Sequence, residues 1–146
     1  MPLLPALVLS SLLLQDSVAF RVEVPAAAPA GEPVAIVLRL TNKTERPLTL
    51  ALQGRPIAFD VTVTREDGTL VWRRLEGAVV SAILAVRRLE PAESLVFETV
   101  WDGRRPDGSP APPGGYQVTG ALPTDTPEGL TTLPTPLRLL AQRTSG

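Results

Sequence analysis

The stretch Phe59–Trp72, FDVTVTREDGTLVW, predicts the fold of this chain. Its apolar residues alternate with polar ones with a period of two, which is the pattern of a β-strand with one buried and one exposed face. Asp67-Gly68 then interrupts the alternation. Asp-Gly between two alternating runs is a strong hairpin signal, because glycine adopts a positive φ without steric cost. The stretch therefore predicts two antiparallel strands joined by a tight turn.

The same period of two continues on both sides of this hairpin. Alternating runs occur in FRVEV, PVAIVLRLTN and PLTLAL before it, and in AILAVRRL, SLVFETVWD, YQVTGAL and PLRLLAQ after it. PAAAPAGEP and PTDTPEGLTTLP have the composition of loops. No helical period of useful length appears after residue 19. The pattern predicts an all-β fold, an immunoglobulin-like antiparallel β-sandwich of about seven to nine strands over residues 20–141, followed by a polar tail at 142–146.

Two residues of this sandwich carry specific expectations. Tyr116 follows two glycines at the start of a strand, and in immunoglobulin-like sandwiches a tyrosine at such a corner donates a hydrogen bond to the upstream backbone. We expect its ring to face the core. Asp60 lies on the opposite face from Phe59 and Val61, so it is expected to face solvent.

The composition limits the chemistry that the chain can perform. It has 146 residues, a net charge of −1, no cysteine and no histidine. A cysteine nucleophile, a histidine base, a Ser-His-Asp triad and the common zinc sites are therefore excluded. The acidic residues are scattered singly rather than paired, and Asp102 and Asp107 lack the spacing of a calcium loop. We expect a non-catalytic binding protein with no cofactor, no metal site and no nucleic-acid partner.

The first nineteen residues differ from the rest. Residues 2–14, PLLPALVLSSLLL, are apolar or small throughout, which is too short for a membrane span and typical of the central region of a secretory signal. Ser17-Val18-Ala19 offers a cleavage site before Phe20. No Lys or Arg precedes the apolar run, so an ordinary first strand remains the alternative. Two localisations stay open: export to the periplasm, which the apolar run favours, and the cytoplasm.

The order of several motifs resembles the BsuPI family, the intracellular proteinase inhibitors. The matching elements of the first half are Asn42 at a strand end, Phe59-Asp60, Asp67-Gly68 and Val71-Trp72. In the second half, LEPAESLVFETVWD resembles the family's L-x-P-G-E turn and the strand after it, with Ala92 where the family usually has glycine. PPGGYQVTGAL resembles its Pro-Gly-x-Tyr strand. The resemblance covers Pro33–Leu140, and its aromatic-Asp pair leaves a structural hydrogen bond of Asp60 open as the alternative to solvent exposure.

This resemblance implies an immunoglobulin-like sandwich that inhibits serine proteases of the subtilisin type by binding them, with no chemistry of its own. A protease is then the partner. Immunoglobulin-like sandwiches host many unrelated functions. The alternative hypothesis is an exported interaction or assembly module that pairs through a sheet edge or loops and inhibits no protease.

The candidate protease-contact loop lies between the runs SLVFETVWD and YQVTGAL. Its sequence, DGRRPDGSPAPP, contains two adjacent arginines and four prolines. An inhibitor that mimics a substrate needs an exposed loop already held in its bound conformation. Arg104, Arg105 and Pro106 are the candidate contact residues, with Arg104 preferred because a proline directly after the scissile position is poorly accepted. A solvated hairpin loop without a role is the alternative, and Pro123–Pro134 is a second candidate loop.

Overall fold

The computed structural model describes residues 16–142, and the structural statements below refer to them. Residues 1–15 of the predicted signal segment and 143–146 of the predicted tail lie outside this range. The described residues form eleven strands: β1 (Val18–Glu23), β2 (Ala27–Pro29), β3 (Val34–Asn42), β4 (Leu48–Gln53), β5 (Asp60–Arg65), β6 (Leu70–Arg73), β7 (Leu84–Leu89), β8 (Ser94–Trp101), β9 (Gly114–Leu122), β10 (Leu130–Thr131) and β11 (Thr135–Leu140).

The strands form two opposed sheets and a two-stranded ribbon. One sheet has the order β1-β3-β8, and the other has the order β2-β11-β9-β5-β6, with β10 added beside β9. The ribbon is β4-β7. The ladders are antiparallel apart from β2 with β11. Gly120 of β9 faces Leu38 of β3 so closely that any side chain there would overlap Leu38, so the two sheets pack face to face at this point. The predicted all-β sandwich is confirmed.

The predicted alternation determines what is buried. Val34, Ile36, Leu38 and Leu40 of β3 are almost completely buried, and their neighbours along the strand are not. Each fully buried side chain of this size contributes about 1.5–3 kcal/mol through the hydrophobic effect. β5 and β6 are joined at Asp67-Gly68, as the sequence of Phe59–Trp72 predicts.

The number of strands is higher than the predicted seven to nine. The two extra strands, β2 and β10, have three and two residues and lie in the segments predicted to be loops. β2 runs parallel to β11 at the edge of its sheet, where proline is tolerated. β10 pairs with the end of β9. Neither segment is long enough to show an alternating pattern, so their pairing depends on the neighbouring strand.

The expectation that Asp60 faces solvent is wrong, and the structural alternative is right. Asp60 is only 8% exposed. Its Oδ2 accepts a hydrogen bond from Arg73 Nε at 2.7 Å, and its Oδ1 accepts from the backbone N–H groups of Val61 at 2.9 Å and Leu75 at 3.1 Å. This hydrogen bond and the charge of Asp60 raise the pKa of Arg73. Alternation predicts the face on which a residue lies, but the chain after β6 covers this part of that face.

Ala92, which stands where a glycine is usual in the resembling family, has a strained backbone conformation. Ala92 has a φ of 67°, in the left-handed region that glycine occupies without a penalty, and its N–H donates to Asn42 O at 2.9 Å. We expect Ala92→Gly to raise the free energy of unfolding by about 1 kcal/mol, because relief of the backbone strain exceeds the entropy cost of glycine. Urea unfolding measures this. Ala35→Gly, in β3 at a φ that is not positive, should instead lower stability, and a loss in both variants would contradict the assignment of strain.

Candidate functional site

The predicted contact residues lie at the tip of an exposed hairpin between β8 and β9. We call residues 104–110 the arginine hairpin. Arg105 N–H donates to Ser109 O at 2.8 Å, and Gly108 N–H donates back to Arg105 O at 2.9 Å. Arg104 and Pro110 form an antiparallel bridge at its base. The loop is therefore a regular turn with internal hydrogen bonds, and Arg104, Arg105 and Pro106 are exposed in it.

Each residue of the tip suits its position in the turn. Pro106 follows Arg105 at the position where a fixed φ favours the turn, and Gly108 adopts a φ of 86° at the position that needs a positive value. Asp107 Oδ1 accepts hydrogen bonds from Ser109 N–H at 2.9 Å and from Ser109 Oγ at 2.5 Å. The sequence RPDGS thus specifies one turn conformation locally.

Two buried aromatic residues anchor the hairpin to the sandwich. Trp101 is fully buried, and its indole N–H donates to Arg104 O at 3.0 Å. Tyr116 packs against it with ring centroids 6.1 Å apart and donates its hydroxyl to Pro112 O at 2.6 Å. Burial raises the pKa of Tyr116, so its hydroxyl keeps the proton that it donates. The predicted bond from this tyrosine to the backbone is confirmed.

The two arginines have different surroundings. Arg104 donates from Nη1 to Gly108 O at 2.8 Å and from its backbone N–H to Asp102 Oδ1 at 3.0 Å, so its guanidinium braces the turn. Arg105 is exposed, and its guanidinium makes no hydrogen bond with residues 16–142. The backbone N–H and C=O of both arginines are used inside the protein. The hairpin therefore presents side chains rather than an extended backbone, and the side chain that projects from the turn is that of Arg105 and not that of Arg104, the residue preferred from the sequence.

The second candidate loop, Pro123–Pro134, is held against the sandwich. It contains β10, and its Thr124 and Thr132 are buried. Gln53 Nε2 donates to Thr124 O at 2.7 Å, and Gly120 N–H donates to Thr132 Oγ1 at 3.0 Å. These contacts fix the loop, which carries no basic residue.

Asp102 and Asp107 stabilise the turns in the hairpin region. Asp102 and Asp107 accept the backbone hydrogen bonds of residues two positions ahead. Within residues 16–142, no group of three or more His, Cys, Asp or Glu side chains is placed to hold a metal ion. The same residues include no helix that is long and apolar enough to cross a membrane.

The order of the hairpin should depend on pH through Asp107. Its hydrogen bonds from the side chain and backbone of Ser109 lower the pKa of Asp107. A lowered pKa means that the bonds are fully present above the ordinary aspartate value and are lost as the pH falls through the lowered one. We expect the Ser109 amide proton shift to titrate with a midpoint below the ordinary aspartate pKa. Asp107→Asn should abolish the titration, and a midpoint at or above the ordinary value would contradict the account.

Solved structures with a similar fold have little sequence identity with the chain. The CARDB domain of a Pyrococcus furiosus protein, solved with di-metal ions, matches at 12% identity and a TM-score of 0.44, over 84% of this chain and 87% of that one. The alkylpurine DNA glycosylase AlkC of Pseudomonas fluorescens matches at 15% and 0.47, over 86% of this chain and 31% of that one. The β-glucosidase EmGH1 of Erythrobacter marinus matches at 14% and 0.44, over 85% and 15%.

The chain matches a known protein family but no individual curated protein. One family model, BsuPI, described as intracellular proteinase inhibitor, matches residues 21–126. That range is more than half of the chain and includes the anchored hairpin together with β3 to β9. This protein therefore belongs to the BsuPI family of intracellular proteinase inhibitors.

Proposed function

We propose that this protein inhibits a serine protease of the subtilisin type by binding it through the arginine hairpin. Family membership supports the inhibitor class. The observation that carries the proposal is the exposed Arg105 on a turn closed by hydrogen bonds of 2.8 and 2.9 Å and anchored by Trp101. A contact side chain on a preorganised support loses little entropy on binding, and arginine is enriched among the residues that dominate interface energies.

The hydrogen bonding of the hairpin specifies how it would bind. A substrate offers an extended backbone to a protease, but the backbone groups of Arg104 and Arg105 are used internally. The hairpin would therefore enter the protease cleft as a folded turn, with Arg105 reaching an acidic or polar pocket. The peptide bond after Arg105 involves Pro106, whose nitrogen carries no hydrogen. This feature would make the tip a poor substrate and a persistent ligand.

The family description and the N-terminal sequence favour different compartments for the encounter with a protease. The description of the family as intracellular agrees with the cytoplasmic alternative. The export prediction rests on residues 1–19 and remains a prediction. β1 begins at Val18, which is buried and pairs with Asn42, so cleavage before Phe20 would remove the first two residues of that strand. We therefore expect any processed form to retain Val18.

One observation favours the alternative hypothesis of an interaction module. Val86 of β7 is 69% exposed, and Val96 and Val100 of β8 are 44% and 59% exposed. In this hypothesis these valines would belong to a contact with a partner protein, since contiguous exposed apolar residues mark such contacts. None of them lies in residues 104–110, so the two functions predict different contact residues.

A titration of subtilisin with the full chain tests the proposed function. We expect residual activity on a peptide substrate to fall in proportion to the added protein, with a break at the equivalence point. Mass spectrometry after prolonged incubation should show an intact Arg105–Pro106 bond. Undiminished protease activity in excess protein would contradict the proposal and favour the interaction module. Rapid cleavage after Arg104 or Arg105 would contradict the folded-turn mode.

A further inference from the structure

A groove unrelated to the arginine hairpin lies beside the β4-β7 ribbon. It is bounded by the segment between β4 and β5, by Arg74 directly after β6 and by β7 and β8, and its volume is about 510 Å³. Sites for small ligands usually enclose about 300–1,000 Å³. The groove has no lining residue in common with the hairpin. Its size and position therefore allow a ligand that is independent of a protease.

The apolar part of the groove is aromatic. Phe59 and Phe97 meet there with ring centroids 5.2 Å apart. Ile57 and Val96 also line it, and Val96 is 44% exposed. An apolar group of a ligand would bury hydrocarbon surface against these side chains, at about 25 cal/mol per Å².

One guanidinium in the groove is already fixed in position. The Arg74 guanidinium lies 3.6 Å above the centroid of the Phe59 ring, and its Nη1 donates to Phe59 O at 2.6 Å. The ring and the carbonyl hold the guanidinium in place. Its remaining N–H donors have no hydrogen-bond partner among residues 16–142. A planar guanidinium held in this way is suited to a carboxylate, which it can bind with two parallel hydrogen bonds.

The charges around the groove favour an anion. Arg55, Arg74 and Arg87 line it together with a single acidic residue, Glu98. None of these arginines forms an ion pair with residues 16–142, where the ion pairs involve Arg39, Arg73 and Arg88. The whole chain has a net charge of −1, so the positive excess here is local. A groove with this lining attracts negative ligands.

We propose that this groove binds a carboxylate that carries a neighbouring apolar group. The carboxylate pairs with Arg74 and Arg87, and the apolar group packs on Phe59 and Phe97. Such a ligand is either a free organic acid or the C-terminal residue of a peptide, because both present a carboxylate beside an apolar side chain. This binding activity is additional to protease inhibition and does not depend on it.

The first test adds N-acetyl-L-phenylalanine to the isotope-labelled full chain and monitors binding by NMR. We expect shifts at Phe59, Phe97 and the Arg74 side chain. N-acetyl-L-phenylalanine amide, which lacks the charge, should bind at least about tenfold more weakly, since charge-assisted hydrogen bonds are lost. Arg87→Gln should weaken the acid by about tenfold, because Arg87 lines the groove.

Arg88→Gln is the matched control. Arg88 is the next residue of β7, pairs with Glu90 at 2.9 Å and does not line the groove, so its replacement should leave the affinity unchanged. Absence of shifts at the groove, equal affinity for acid and amide, or equal weakening in both variants would overturn the proposal. The peptide Ala-Ala-Phe distinguishes the sources: tighter binding than N-acetyl-L-phenylalanine assigns the site to peptide C-termini, and equal or weaker binding assigns it to free acids.

Discussion

Replacing Trp101 by alanine is expected to lower the free energy of unfolding by about 3–5 kcal/mol, the range for a large aromatic side chain removed from a core. Trp101 is fully buried at the end of β8, where its ring packs on Tyr116 and stacks on Trp72 at 6.4 Å between centroids. The variant leaves a cavity between the two sheets. Urea unfolding followed by circular dichroism measures the loss.

A second variant separates the core role of Trp101 from its role in the hairpin. Trp101→Phe keeps most of the apolar volume but lacks the indole N–H that donates to Arg104 O. It should retain most of the stability, while the amide hydrogens of the arginine hairpin exchange faster with solvent. A loss below about 1 kcal/mol in Trp101→Ala would contradict the account of the core. Unchanged hairpin exchange in Trp101→Phe would contradict the anchor.

Asn42→Ala is expected to lower the free energy of unfolding by about 3 kcal/mol, because it leaves buried polar groups without partners. Asn42 is fully buried at the end of β3. Its Nδ2 donates to Arg46 O at 2.8 Å and Leu89 O at 3.0 Å, and its Oδ1 accepts from Thr44 N–H at 2.9 Å and Oγ1 at 2.7 Å. One amide therefore joins β3, the turn before β4 and the end of β7. Chemical unfolding again measures the effect.

Two variants test whether the amide group itself is responsible. Asn42→Asp keeps the acceptor for Thr44 but places a buried negative charge against two carbonyl oxygens. Its loss at neutral pH should equal or exceed that of Asn42→Ala, and part of it should be recovered at acid pH, where a protonated carboxyl donates one hydrogen bond. Thr44→Val, at the edge of the network, should cost less. Equal stability of wild type and Asn42→Ala would contradict the proposed network.

The local patterns of the sequence predict most of the sandwich. The stretch Phe59–Trp72 predicts β5, the Asp67-Gly68 turn and β6, because period-two alternation and turn chemistry act over a few residues. The Tyr116 hydroxyl bond follows from the same kind of local rule. Asp60 shows the limit, since its burial depends on the chain after β6, which no pattern around Asp60 contains.

The candidate sites are predictable only in part for the same reason. The sequence identifies Arg104 and Arg105 as exposed loop residues. It does not show that Arg104 braces the turn while Arg105 projects from it, because this difference depends on a hydrogen bond from Arg104 Nη1 to Gly108 O. The groove unites Arg55, Arg74 and Phe97 from segments that are far apart in the chain. Such a meeting depends on how distant strands come together in the fold, which alternation does not encode.

The inhibition constant for subtilisin, measured for Arg105→Ala beside wild type, tests the central claim most directly. Arg46→Ala is the matched control, since Arg46 is also exposed but lies in the turn after β3, whereas the hairpin lies beyond the opposite end of that strand. We expect Arg105→Ala to weaken inhibition by about 100-fold, the effect of losing a dominant interface side chain, and Arg46→Ala to change it by less than about twofold. Both variants should unfold at the wild-type urea concentration. Equal inhibition by wild type and Arg105→Ala would contradict the assignment of the arginine hairpin as the protease contact.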